Sequence, residues 1–296
     1  MIQALAAVAL GTLVLAGCGG PARTAHTPLG FDGHGRPTVG VTVNGKGPFP
    51  FILDTGAERS MVQHGLAERV GLGALAHVGV NVQGTAGNEK GRMFLADRFA
   101  GDLFARRFEP LFELPSAGIT EADGILGMNV FHGARLALDF RAATAAVGPS
   151  GPAPAGFVSL PARIARGDLA LVVLRVDSMR VNAMIDTGAR RTLGNLALAR
   201  ALGLSPGGDR FVPTAPVTGA SRDSALAWAA TVGAVTAGEA RFEHPVLAFS
   251  DAPVFGRLFP EGGPALILGI DLLHTLDGLA IDYPRAEVQL RAAGAR

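Results

Sequence analysis

Two short triplets hold the side chains in this sequence best placed to do chemistry. Asp54-Thr55-Gly56 follows the apolar run Phe49-Pro50-Phe51-Ile52-Leu53, and Asp186-Thr187-Gly188 follows Val181-Asn182-Ala183-Met184-Ile185. A lone Asp-Thr-Gly arises by chance at on the order of one position in a few thousand, and is usually a plain turn. Here two such triplets stand 132 residues apart, each leaving an apolar run and each followed by alanine, Ala57 or Ala189. An apolar strand running into Asp carries the carboxylate to the edge of a core, where it is partly desolvated. Two carboxylates held within hydrogen-bonding distance cannot both ionise cheaply, so they share one proton. The ionised member is then a general base toward a water, and the protonated member an acid toward the group that the water attacks. Gly56 and Gly188 let the chain turn sharply and bring backbone N–H groups near each carboxylate. Thr55 and Thr187 direct their hydroxyls toward the opposite copy.

The elements that must position these triplets recur with them. Strand-like runs, Thr38 to Val43 and Leu169 to Val176, precede the two motifs, with hairpin turns expected at Val43-Asn44-Gly45 and Met179-Arg180-Val181. Downstream of each Asp lies a small, polar, glycine-containing stretch, Gly84-Thr85-Ala86-Gly87 or Thr218-Gly219-Ala220-Ser221. Further on come Gly124-Ile125-Leu126-Gly127-Met128-Asn129 and Leu266-Ile267-Leu268-Gly269-Ile270-Asp271. A histidine follows each (His132, His274), and then a closing strand, Ala137-Leu138-Asp139-Phe140 or Ala280-Ile281-Asp282-Tyr283. Helices are expected over Gln63 to Val70 and Asn195 to Leu202. Four features in one order make duplication far more economical than coincidence.

These motifs resemble the retropepsin-like aspartic proteases and the bacterial aspartyl proteases related to them, over about Val39 to Leu290. The resemblance implies a mostly β fold of two β-barrel lobes related by a pseudo-two-fold axis, with the active site between them. It implies catalytic roles for Asp54 and Asp186. It makes Thr55, Gly56, Thr187 and Gly188 the support of the catalytic loops, the threonines cross-bonding them. Ile125-Leu126-Gly127 and Ile267-Leu268-Gly269 match the segments that back those loops, and Gly84 to Gly91 and Val217 to Asp223 match the flaps. The activity implied is that of an aspartic endopeptidase acting on a peptide or protein, without cofactor or metal. The alternative is a peptide-binding lipoprotein that keeps the fold without turnover. A chain that pairs its motifs with those of a second copy is the remaining possibility, and a monomer is expected because the linker is long enough for pairing within one chain. Ala57 and Ala189 stand where pepsin-like relatives often carry a hydroxyl that would favour the ionised carboxylate. A working range nearer neutral than pepsin's is therefore expected.

Composition agrees with short strands and tight turns: 41 glycines and 19 prolines in 296 residues. The formal net charge of +1, with no basic run, gives no reason to expect nucleic acid. No HExxH or Gly-x-Ser-x-Gly is present, and the lone cysteine lies near the N-terminus, so metal, serine and cysteine hydrolysis lack support. His132 and His274 have no acidic or cysteine neighbour at ligand spacing and read as structural. Residues 1–18 read as a lipoprotein signal ending in Leu15-Ala16-Gly17-Cys18, with Cys18 the lipidation site. A periplasmic or cell-surface location follows, lipid-anchored, with the outer membrane favoured because Gly19 is not Asp. Residues 19–37 read as a tether, 38–147 and 161–292 as the lobes, and 148–160 as a Gly/Pro linker.

Overall fold

The computed structural model describes residues 24–114, 121–165, 167–219 and 223–294. Alternation builds the first lobe. In strand Pro37–Val43, Val39, Val41 and Val43 are buried while the residues between them are less so. The chain turns back at Asn44-Gly45, both at positive φ (50° and 77°), the left-handed pair that matches the twist of a tight hairpin. The returning strand, Lys46–Leu53, starts exposed and ends in the fully buried Phe51, Ile52 and Leu53, so it enters the core just before Asp54. Gly124–Leu126 lies parallel beside it, with Leu53 opposite Leu126. Met61–Gln63, Phe104–Leu114, Asn88–Gly101 and Ala74–Gln83 continue the sheet. Thr42 and Val43 pair with Ala100 and Phe99, which closes it into a barrel.

The second lobe repeats this path. Leu169–Val176 and Met179–Ile185 form the hairpin, and Ala265–Leu268 lies parallel to the second strand, with Leu268 opposite Ile185. Leu193–Gly194, Val246–Phe249, Ser224–Thr231 and Val212–Thr218 follow. The long strand Asn88–Gly101 of the first lobe corresponds here to two strands, Ser224–Thr231 and Ala234–Ala237, the second pairing back onto Leu169–Val176.

An antiparallel sheet joins the lobes, in the order Ala25–Pro28, Thr144–Gly148, Arg135–Asp139, Gly278–Asp282, Glu287–Arg291, Val158–Ala165. At its centre the two closing strands pair with Ala137 opposite Ala280, the same residue of each copy. The pseudo-two-fold axis passes between them. Leu136, Leu138, Leu279, Ile281, Val288 and Leu290 of this sheet belong to one apolar core that continues into both barrels. Burial of that continuous surface holds the two lobes at a fixed mutual angle.

The helices stand where periodicity placed them, His64–Val70 and Leu196–Ala201. Asn195 caps the second by accepting a hydrogen bond from Leu198 N at 2.8 Å, and Gly71, at φ 74°, ends the first in a left-handed turn. Other boundaries move. The stretch expected to be a tether contains Ala25–Pro28, paired with Thr144–Gly148, and Gly30–Phe31, paired with Pro37–Val43. The expected linker gives up its last residues to strand Val158–Ala165. The second hairpin turns at Asp177-Ser178, with Asp177 at φ 52°, while Met179, Arg180 and Val181 are already in strand. A positive-φ aspartate opens the turn there as the positive-φ Asn44 does in the first copy. The parallel pairs beside both motif-bearing strands are a feature that strand alternation alone does not reveal. Cys18 and the rest of the expected signal lie outside the described residues.

Candidate active site

Each triplet leaves the end of a parallel strand pair. Asp54 N donates to Leu126 O at 3.1 Å, and Asp186 N donates to Leu268 O at 3.0 Å. The two loops then meet across the pseudo-two-fold axis. Thr55 Oγ1 donates to Ile185 O at 2.8 Å and accepts from Thr187 N at 3.0 Å. Thr187 Oγ1 donates to Leu53 O at 2.6 Å and accepts from Thr55 N at 3.1 Å. Both threonines are fully buried, so these four bonds work in a low dielectric, and losing any one would leave a buried polar group unpaired.

The glycines serve a different purpose from the one the sequence suggests. Neither Gly56 nor Gly188 has a positive φ, so no special turn demands glycine there. A Cβ on Gly56 would instead lie 2.5–2.6 Å from the carboxylate oxygens of Asp186, and a Cβ on Gly188 would collide with the carboxylate of Asp54. Each glycine thus makes room for the other lobe's acid. The backbone N–H groups do reach the carboxylates as expected. Asp54 Oδ1 accepts from Gly56 N at 2.8 Å, and Asp186 Oδ1 accepts from Gly188 N and Ala189 N, each at 2.9 Å.

Both aspartates sit at the floor of a cleft of about 1620 Å³ between the lobes. The apolar part of its lining is symmetric in origin, Met61 and Ile125 on one side and Leu193 and Ile267 on the other. Two hairpin tips cover it. Gly84 N donates to Gly87 O at 2.8 Å in the first tip, and Asn88 N beside it donates to Asp223 Oδ2 of the second at 3.1 Å. These are the stretches matched to flaps in the sequence, with 220–222 of the second outside the described residues.

The family profile described as an aspartyl protease matches residues 39–130 and 172–272. The chain belongs to the aspartyl protease family. Each matched stretch contains one Asp-Thr-Gly and one Ile-Leu-Gly segment, so the chain is two tandem retropepsin-like halves, as the repeat implied. A comparison with curated proteins gives no significant match.

Electrostatics in this aspartyl protease cleft separate the two acids. Burial raises Asp186 well above the ordinary carboxylate value, and the charge of Asp54 raises it further, against the pull of the Ala189 and Gly188 N–H groups. Burial also raises Asp54, but the Gly56 N–H, the hydrogen bond with Asp186 and the nearby cation of Arg36 oppose it. These environments favour the proton on Asp186 and the charge on Asp54.

Behind the loops stands a second repeated layer that the sequence reading missed. Ser60 Oγ accepts from Gly127 N at 3.1 Å and donates to Asn129 Oδ1 at 3.1 Å. In the other lobe Thr192 Oγ1 accepts from Gly269 N at 3.0 Å and donates to Asp271 Oδ1 at 2.7 Å. Met128 N and Ile270 N donate to Ala57 O and Ala189 O at 2.9 and 2.8 Å, tying the Ile-Leu-Gly segments to the Asp-Thr-Gly loops. The signal was available: Ser60 and Thr192 are also 132 apart, at the same distance from their aspartates. Arg36 was missed as well. It is buried, lines the cleft, and pairs with Asp32 at 2.6 Å from a segment read as tether. The recurring histidines stand away from the cleft. His132 Nδ1 lies 2.8 Å from Asp168, and His274 packs on the rings of Phe31 and Phe140. Among the described residues no three His, Cys, Asp or Glu side chains come together in a way that could hold a metal ion.

Proposed function

We propose that the chain is an aspartic endopeptidase in which Asp54 and Asp186 activate one water between them. What carries this reading is the cross-bonded pair of loops that presents two buried carboxylates in a cleft of about 1620 Å³ between the lobes. Asp54, ionised and close to Arg36, takes a proton from the water as it attacks the scissile carbonyl. Asp186, protonated, donates a hydrogen bond to the carbonyl oxygen and stabilises the charge that develops there. Collapse of the tetrahedral species moves a proton to the leaving nitrogen, and the second product carboxyl leaves with the water's oxygen. Thr55, Gly56, Thr187 and Gly188 hold the acids in register and touch no reacting atom. The hairpin tip at 84–88 and the described part of the second, 217–219 and 223, close over the bound peptide and exclude bulk water.

Both acids come from one chain, which supports an active monomer. The signal reading at Cys18 supports lipid anchorage at the periplasmic or outer face of a membrane, testable by incorporation of labelled palmitate lost in Cys18→Ser. The activity is tested by incubating the protein with a diverse peptide mixture from pH 3 to 8 and reading new termini by mass spectrometry. Cuts that appear with the wild type and vanish with Asp186→Asn support the peptidase. Peptides retained without cuts would instead favour a binding protein on the same fold.

A further inference from the structure

The whole chain is nearly neutral, 26 basic against 25 acidic residues. Its cleft is not. Among the described residues six arginines line it, Arg36, Arg59, Arg163, Arg190, Arg191 and Arg257, and apart from the two aspartates the acids on its walls are Glu58 and Glu261. They come from five separate places in the chain: the loop before Pro37–Val43, the loops after both triplets, strand Val158–Ala165 and helix Val254–Leu258. No single amphipathic element accounts for the cluster.

The contacts of these arginines orient them more than they neutralise them. Arg191 donates to Thr214 Oγ1 at 3.3 Å and to Ala215 O at 3.2 Å, on the strand leading to the second hairpin tip. Arg257 donates to Gly84 O at 2.9 Å and to Asn88 Oδ1 at 3.4 Å, at the first tip. All four acceptors are uncharged. Arg36 is matched by Asp32, and Arg190 is met in part by Asp32 and Glu121. Burial disfavours the charged form of Arg190, with the cation of Arg36 adding to it, and burial disfavours that of Arg257 against the pull of Glu58. A concave site with low-dielectric walls focuses such a field. The guanidinium fork suits a carboxylate far better than an apolar side chain.

We infer that the cleft selects peptides carrying Asp or Glu side chains on both sides of the bond presented to Asp54 and Asp186. Acidic side chains there meet Arg191 on the second lobe's side and Arg257 and Arg59 on the first tip's side, while Met61, Ile125, Leu193 and Ile267 receive the apolar residues nearest the centre. Lysine-rich peptides are repelled by the same field.

The inference rests on the peptidase reading only for its cleavage arm, so binding is measured beside cleavage. One set of fluorescent peptides is made in three versions, with Glu, Gln or Lys at positions flanking an apolar pair. Binding is read by anisotropy on full-length Asp54→Asn, and kcat/KM on the wild type. The expected result is tighter binding and kcat/KM about 10-fold or more higher for the Glu set than for the Gln set. The ratio should shrink in high salt, because charges at an open cleft are screened within about 8 Å at physiological ionic strength. Arg59→Gln, Arg191→Gln and Arg257→Gln should each lower the Glu-to-Gln ratio, in binding as well as in kcat/KM. Wild-type cleavage with no preference for Glu would overturn the inference and leave the peptidase standing. Selective binding of Glu peptides with no cleavage would overturn the peptidase and leave the inference standing. Absence of both binding and cleavage would sink the two together.

Discussion

At the residue scale, the site depends on atoms that are missing as much as on those present. Gly56 and Gly188 each leave the space that the opposite carboxylate fills. Gly56→Ala should therefore fold, since the buried strand before it is untouched, but push Asp186 out of register. A misplacement of this size is expected to lower kcat/KM about 100-fold or more, with circular dichroism and melting close to wild type. Arg36 acts at longer range. Its cation opposes the rise that burial imposes on Asp54, so Arg36→Gln should let that carboxyl rise further. The base would then be protonated at a higher pH, and the acid limb of the kcat/KM profile should shift upward, as a pH-rate series would show. An unmoved or lowered acid limb would mean that Arg36 does not act on the dyad. The residues that meet at the candidate site were legible in the sequence because their types recur at one spacing. Ser60 and Thr192 were harder to see because their types differ, and a hydroxyl is common enough to pass unnoticed. Arg36 gave no signal at all, since an arginine in a Gly/Pro-rich stretch reads as solvated and only the fold brings it to the cleft.

At the element scale, two features make the lobes act as one. The first is the threonine lattice between the Asp-Thr-Gly loops, with each hydroxyl bonded to two backbone groups of the opposite loop. Thr55→Val keeps the shape and removes the donor and acceptor, leaving Ile185 O and Thr187 N without their partner. A loss of about 1–3 kcal/mol in denaturant unfolding is expected, and a similar loss for Thr187→Val. The double variant should lose less than the sum, because either change loosens the contact between the loops on which the other hydroxyl's bonds depend. Strict additivity would contradict the lattice. The second feature is the shared sheet, centred on Ala137 opposite Ala280. Helices and motif-bearing strands could be read from periodicity and apolar runs. This sheet could not, because its pairings join segments far apart in sequence. Ala25–Pro28 is a short, proline-ended strand whose stability comes from Thr144–Gly148 and not from its own pattern. The sheet strands 135–148 and 278–291 also lie outside both stretches matched by the family.

At the scale of the whole molecule, the site costs the fold stability. Both acids are raised by burial, Asp186 most, so the folded chain binds a proton that the unfolded chain releases at ordinary carboxylate pKa. Stability from this source is complete below the unfolded value of about 4 and is lost as pH rises toward the folded values. Asp186→Asn never ionises and escapes that loss. Its melting temperature should exceed wild type at pH 7, and the gain should fade as the buffer is taken down toward pH 4. A gain independent of pH would place the effect in packing instead. The basic cleft on a nearly neutral chain belongs to this scale as well, since it emerges only when five distant segments converge.

The central claim is that two halves of one chain supply one catalytic unit. It is tested most directly by measuring kcat/KM on a single cleaved peptide for wild type, Asp54→Asn, Asp186→Asn and the double variant. Residues acting as a unit are grossly non-additive, so each single change should lower the rate on the order of 10⁴-fold or more and the double should fall no further. Near-wild-type cleavage by either single variant, or losses that multiply in the double, would contradict a shared-proton pair.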